Sequence, residues 1–113
     1  MFIGLEYSGG EASMFVGIVT TTKDGYFFVG FDKSQQHEAV FAGPGYQLTD
    51  AISIFIGLET SLQSNEIFIG LEYSELDSTD SLFVGGFYDG HNWSYFLGIL
   101  VYLDVLGLIQ TSL

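Results

Sequence analysis

The sequence has no cysteine and only two basic residues, Lys23 and Lys33. The absence of cysteine excludes disulfides, thiolate zinc sites and cysteine catalysis. No run of 18 or more residues is continuously apolar, so no transmembrane helix is predicted. The first residues also lack the basic stretch that opens a signal peptide, and none is predicted.

The shortage of basic residues leaves the chain strongly acidic. Fourteen Asp and Glu residues face two Lys, which gives a formal net charge of −12. A chain of this charge repels the phosphates of nucleic acids and the headgroups of anionic lipids. Nucleic acid is therefore excluded as a partner.

What the sequence has in abundance is strand-forming residues and glycine. Of its 113 residues, 48% are hydrophobic, 17% are aromatic and 15 are glycine, against a single proline. Phe, Tyr, Ile and Val favour strands, and glycine favours the tight turns between them. The length fits one domain. The composition therefore predicts a single all-β domain.

A short motif, Phe-x-Gly, recurs through the chain with its glycines 13 to 15 residues apart. Each copy predicts a strand of about nine residues followed by a polar connection of about four. Asp24-Gly25 and Asp89-Gly90 are dipeptides typical of two-residue hairpin turns. The eight copies are Phe2–Gly4, Phe15–Gly17, Phe28–Gly30, Phe41–Gly43, Phe55–Gly57, Phe68–Gly70, Phe83–Gly85 and Phe96–Gly98.

Two folds are compatible with this repeat. A strand of nine residues spans about 30 Å, which a connection of four residues cannot cross, so consecutive strands are predicted to be antiparallel. The main prediction is an eight-stranded antiparallel up-and-down meander closed into a β-barrel over residues 1–103, followed by an apolar C-terminal tail over residues 104–113. The alternative is a β-solenoid of 13-residue rungs.

Alternation along each predicted strand separates two faces. The position before each Phe and the positions one, three and five after it carry 32 residues, of which 27 are apolar or Tyr. We call this the aliphatic face. The opposite face carries the Phe and Gly of each repeat together with acids, Ser and Thr. A Phe packed over a cross-strand Gly is expected to help the sheet curl.

The function depends on which face points outward. With the aliphatic face inward, a soluble protein would expose its eight Phe rings. With the aliphatic face outward, that face meets lipid, and Tyr7, Tyr46, Tyr73, Tyr88 and Tyr95 lie at strand ends, where membrane barrels carry aromatic girdles. The second arrangement is favoured.

The segments FIGLEYS and GYQLTDAISIFIGLE (Gly45–Glu59) resemble the strands and short turns of outer-membrane-type β-barrels. The resemblance implies a barrel embedded in an outer membrane, with a lipid bilayer or detergent as its partner. It departs from natural members of that family in the shortness of every connection. Short connections and regular repeats also fit a designed minimal barrel or an excerpt of a larger one.

Four acids, Glu6, Asp32, Glu59 and Glu72, fall at the same position of the repeat. In a lumen without basic residues such acids are expected to favour cations or protons. The alternative is a solvated acidic face outside a soluble sheet. His37 and His91, and the oxygen-rich segment from Asp77 to Asp80, lack the spacing of a metal site and are interpreted as loop residues.

No catalytic motif is present, so the protein is predicted not to be an enzyme and to need no cofactor or metal. The leading hypothesis is a structural membrane barrel, at most a narrow cation-favouring passage. The alternatives are a soluble β-barrel or sandwich that binds a ligand in an apolar interior, and a β-filament subunit that self-associates through its strand edges.

Overall fold

The computed structural model describes residues 1–34, 38–62, 64–75 and 79–103. It is an all-β structure of eight antiparallel strands in chain order, closed into a barrel. The predicted tail, residues 104–113, lies outside the described residues. The strands are β1 (Phe2–Ser8), β2 (Glu11–Thr21), β3 (Gly25–Lys33), β4 (Glu38–Gln47), β5 (Ile52–Ser61), β6 (Asn65–Tyr73), β7 (Asp80–Tyr88) and β8 (Trp93–Tyr102).

The predicted meander is thus confirmed and the solenoid alternative is wrong. Each strand pairs with its sequence neighbour, and β1 pairs with β8 to close the sheet. The shear number of the barrel is ten: a path that steps from each residue to its paired residue on the next strand returns to β1 ten residues away from its start. In an eight-stranded barrel this stagger corresponds to a strand tilt of about 40°. No helix among the described residues is long and apolar enough to cross a membrane.

The turns differ from the predicted ones. Among the described glycines, Gly9, Gly10 and Gly90 have positive φ angles, of 60°, 81° and 103°. The two-residue hairpin turn is therefore Gly9-Gly10, between the paired residues Ser8 and Glu11. Both of its central residues need the left-handed region, which glycine enters without steric cost.

The two Asp-Gly dipeptides belong to longer connections. Gly25 is the first residue of β3, and the backbone N–H of Thr22 donates to its carbonyl at 2.8 Å. Asp89 opens a four-residue connection in which its Oδ1 accepts the backbone N–H groups of Asn92 and His91. These two bonds, from Asn92 first and then from His91, hold the pKa of the Asp89 carboxyl below its usual value.

The Phe-x-Gly motif forms reciprocal contacts inside three of the four hairpins, β1–β2, β5–β6 and β7–β8; in β3–β4 Gly30 contacts Phe41, whereas the nearest atoms to Gly43 belong to β5. In the first hairpin, Phe2 lies opposite Gly17 and Phe15 lies opposite Gly4. A Cβ atom added to Gly17 would lie 2.4 Å from the Phe2 ring, so the ring occupies the space of the missing side chain. The same contact joins Gly30 to Phe41, Gly57 to Phe68, Gly70 to Phe55, Gly85 to Phe96 and Gly98 to Phe83.

The glycines also let neighbouring hairpins approach closely. Gly17 lies opposite Gly30 across the β2–β3 pair, and Gly70 lies opposite Gly85 across β6–β7. A Cβ atom on Gly17 would lie 2.5 Å from the carbonyl oxygen of Val29. A side chain at Gly17 would therefore collide with the backbone of the next hairpin, and the absence of one allows this close approach.

The Phe side chains point inward and the aliphatic face points outward. Nine buried apolar side chains, eight of them Phe, form the core, and Phe41 is packed against them. The outward residues at the middle of the strands are exposed; Ile69, for example, is 40% exposed. The nine residues of this core are Phe2, Phe15, Phe28, Phe55, Phe68, Phe83, Phe87, Phe96 and Leu100.

Candidate functional site

Strand direction sorts the lumen acids into two groups. Glu6, Asp32 and Glu59 lie near the C-terminal ends of β1, β3 and β5, which run in the same direction. Glu11 and Glu66 lie at the starts of β2 and β6, at the same end of the barrel. We call these five acids and the space between them the acidic vestibule. Glu72 lies near the C-terminal end of β6 and therefore at the opposite end.

The acidic vestibule encloses a cavity of about 280 Å³. The five carboxyl groups share its wall with serine hydroxyls, and the side chains of Ala39 and Phe87 supply an apolar portion. The cavity thus offers hydrogen-bond acceptors on several sides and an apolar surface on another. The serines on its wall are Ser8, Ser13, Ser61, Ser64 and Ser94.

Asp32 is the most buried of these acids, with 3% of its surface exposed. Its Oδ1 accepts no hydrogen bond from an N–H or hydroxyl donor of the described residues. The carboxyl of Glu59 is within hydrogen-bonding reach of the Asp32 carboxyl. Glu59 can donate to Asp32 only when it carries a proton, so two ionised carboxylates here would leave Asp32 unsatisfied.

The two lysines do not neutralise the vestibule. Lys33 points outward from β3 and lies 3.8 Å from Glu38, with both side chains more than half exposed. Lys23 lies in the connection between β2 and β3, at the opposite end of the barrel. No basic residue is among the described residues that line the vestibule.

Glu72 occupies a different environment at the opposite end. Its Oε2 accepts hydrogen bonds from the Tyr102 hydroxyl at 2.6 Å and the Ser81 hydroxyl at 2.7 Å. Its Oε1 accepts one from the Tyr26 hydroxyl at 3.2 Å, and that hydroxyl also lies 3.1 Å from Ser53 Oγ. We call these residues the tyrosine network. Its hydroxyls satisfy a carboxylate that is only 8% exposed.

Phe rings separate the two ends of the lumen. Phe28 and Phe68 have ring centroids 6.0 Å apart, and Phe87 and Phe96 have centroids 4.7 Å apart. The cavity that remains among the rings measures about 90 Å³, and it is bordered by Glu6, Asp32 and Glu59 at one end and by Glu72 at the other. The centre of the barrel is thus a packed aromatic core, as expected for eight strands.

The outer surface is apolar around the whole barrel. Among the outward strand residues that the structure describes, the charged ones are Lys33, Glu38 and Asp80, each at the end of its strand. Aromatic side chains border the apolar band near both ends. Those near the vestibule are Tyr7, Phe31, Tyr88, Trp93 and Tyr95, and those near the tyrosine network are Phe27, Tyr46 and Tyr73.

All four predicted site residues face the lumen and border the cavity among the Phe rings, but they lie at its two ends. Glu6, Asp32 and Glu59 share the acidic vestibule, whereas Glu72 belongs to the tyrosine network. Glu11 and Glu66 were not predicted as lumen acids, although alternation places them on the Phe face, four residues before Phe15 and two before Phe68.

The histidines and loop oxygens considered for a metal site do not form one among the described residues. His91 lies in the connection between β7 and β8, whereas His37, Asp77 and Ser78 are outside the described residues. In the part of the chain that the structure describes, no group of three or more His, Cys, Asp or Glu residues is placed to hold a metal ion.

Comparisons with protein-family models, curated proteins and solved structures find no match to this chain. Its function must therefore be inferred from its own surface and lumen.

Proposed function

We propose that this protein is a non-enzymatic structural β-barrel of outer-membrane type, embedded in a lipid bilayer. The observation that carries the proposal is the uninterrupted apolar outer face. Leu5, Ile18, Leu58, Leu82 and Leu97, on five different strands, are each 50% to 60% exposed. In water such a surface would be far larger than the apolar patches of soluble monomers.

The dimensions of the apolar band support the same proposal. Nine residues at about 3.3 Å each, tilted by about 40°, span roughly 23 Å along the barrel axis. Membrane barrels carry an apolar band about 25 Å tall, with aromatic girdles at both borders. The charged residues Lys33, Glu38 and Asp80 fall at strand ends, where a bilayer would expose them to its polar headgroups.

The lumen supports a structural role over transport. The Phe rings fill the middle of the barrel, and the remaining 90 Å³ lies among those rings. A hydrated ion would have to displace several packed rings to pass from the vestibule to the tyrosine network. We therefore expect no steady current from the folded barrel in a planar bilayer.

The direct test is folding in the presence and absence of detergent. Purified protein is diluted from denaturant into buffer alone, into detergent micelles and into lipid vesicles. Circular dichroism then reports β-structure, and heated and unheated samples are compared on a denaturing gel. We expect β-structure and a heat-dependent mobility shift only with detergent or lipid. A folded, soluble monomer in buffer would refute the membrane proposal and favour a soluble barrel.

A charge placed on the outer face separates lipid from water as its surroundings. Ile69 is at the middle of β6 and points outward. We expect Ile69→Lys to lower the free energy of unfolding in vesicles by about 2–4 kcal/mol, because a lysine near the bilayer midplane loses its hydration. Denaturant titration followed by tryptophan fluorescence measures the change.

The matched control is Thr20→Lys, an outward and exposed position close to the end of β2. A lysine there reaches the headgroup region, so its cost should be about 1 kcal/mol or less. Equal effects of the two substitutions would contradict a bilayer around the barrel, since water does not distinguish the two positions.

A further inference from the structure

The acidic vestibule has the features of a binding site that the proposed structural role does not use. Five carboxyl groups surround one cavity at the end of a lumen that is closed below by Phe rings. The tyrosine network shows the contrast. There a single carboxylate, Glu72, is satisfied by three hydroxyl donors of the protein.

The buried Asp32 is a second, independent observation that points to a ligand in the vestibule. It is 97% buried, and its Oδ1 receives no N–H or hydroxyl donor from the described residues. A buried acceptor without a donor is costly, and an ionised one more so. A proton on Glu59 would give Asp32 a hydrogen-bond donor, but the negative charges of Glu6, Glu11 and Glu66 would still have no positive charge near them. A cation in the cavity would compensate all of them.

The shape of the site favours an organic cation over a bare metal ion. No three acids of the described chain are close enough to chelate a metal. The cavity of about 280 Å³ is large enough for several water molecules, and so for a ligand larger than a single ion. A ligand with several N–H donors can reach carboxylates on different walls, since each ammonium group has three donors.

The apolar part of the cavity wall further limits which organic cations would fit the site. Ala39 and Phe87 line the cavity beside the acids and serines. Methylene groups would pack on this surface, while ammonium groups at either end of them donate to the carboxylates. We propose that the acidic vestibule binds a linear organic cation carrying two or more ammonium groups. This requires only the folded barrel, so it does not rest on the membrane proposal.

Spermidine is a suitable probe because it carries three ammonium groups separated by methylene chains. Isothermal titration is performed on protein folded under the condition established by the folding test, with propylamine and Mg²⁺ titrated in parallel. We expect saturable binding of spermidine at one site per barrel, with weaker binding of both comparison cations. No saturable spermidine binding, or equal binding of Mg²⁺, would overturn the proposal.

Two variants locate the site and a third is their control. Asp32→Asn and Glu59→Gln should each weaken spermidine binding about tenfold, since each removes one charged acceptor. Glu72→Gln removes the same charge from the lumen at the other end and should leave binding unchanged. Equal weakening by Glu72→Gln would show attraction to the net charge alone and would overturn the proposal. Glu66→Gln, at a less buried acid, replaces any variant that fails to fold.

Discussion

Gly17→Ala should destabilise the barrel by about 3 kcal/mol or more, even though it adds only one methyl group. The new Cβ would lie 2.4 Å from the tip of the Phe2 ring and 2.5 Å from the carbonyl oxygen of Val29. The ring could turn away, but the carbonyl belongs to the backbone of β3. Relief therefore requires β2 and β3 to separate at the bend between two hairpins.

Gly86→Ala is the matched control. Gly86 is also within a strand, but it points outward, and an added Cβ atom would lie 3.1 Å from the Trp93 ring and 3.3 Å from the carbonyl oxygen of Ser94, much farther than the 2.5 Å at Gly17. That ring is 56% exposed and can shift by a few tenths of an ångström. Denaturant titration in detergent should show an effect of less than about 1 kcal/mol for Gly86→Ala. Similar losses at both positions would contradict the proposed contact between the glycine and the neighbouring backbone.

Phe96→Ala is expected to cost about 3–5 kcal/mol, which is the range for deleting a buried aromatic ring. Phe96 is 3% exposed, and its ring centroid lies 4.7 Å from that of Phe87 and 5.9 Å from that of Phe83. The same ring covers Gly85. Its removal would leave a cavity that the rigid barrel wall cannot collapse to fill.

Phe27→Ala serves as the control for ring deletion, since Phe27 points outward and is 55% exposed. Its loss should cost about 1 kcal/mol in detergent, because the remaining contacts are with the solvating chains. Both variants can be followed by the loss of the heat-dependent gel shift with increasing denaturant. A smaller effect for Phe96 than for Phe27 would mean that the lumen is not closed by packed aromatic side chains.

The fold could be predicted from the sequence because one pattern repeats at a constant interval. Phe and Gly at positions i and i+2 lie on one face of a strand, and the short connections exclude any return but an antiparallel one. The alternation alone did not say which of the two faces points inward. In the structure the inward face is the one with glycines, and the Phe rings occupy the space that these glycines leave free.

The turns were predicted less well because a dipeptide is a local signal. Asp24-Gly25 has the composition of a two-residue hairpin, yet Gly25 pairs with Tyr46 of β4 and is part of β3. At Asp89 the side chain holds a longer connection by accepting two backbone N–H groups. The position at which each turn begins depends on the pairing register of its two strands, and a dipeptide does not determine that register.

The candidate site was predictable in its residue types but not in its grouping. A repeat position fixes the face of the sheet on which an acid lies. The end of the barrel at which it lies depends on the direction of its strand, and this separates Glu72 on β6 from Glu6 on β1. Glu11 and Glu66 lie outside the repeated core of the motif, so only their parity relative to Phe could have revealed them.

The reciprocal Phe–Gly contacts within hairpins bear on how such a chain can grow. Three of the four hairpins supply both partners of their own contacts, so a duplicated or deleted hairpin of this kind, about 26 residues long, carries a complete set with it. A single strand does not, because its Phe would lose its glycine and its glycine would lose its ring. Lengthening by whole hairpins also preserves the even strand number that an antiparallel meander needs in order to close. The unit that can be duplicated in this architecture is thus the hairpin of two strands, although the sequence motif repeats once in every strand.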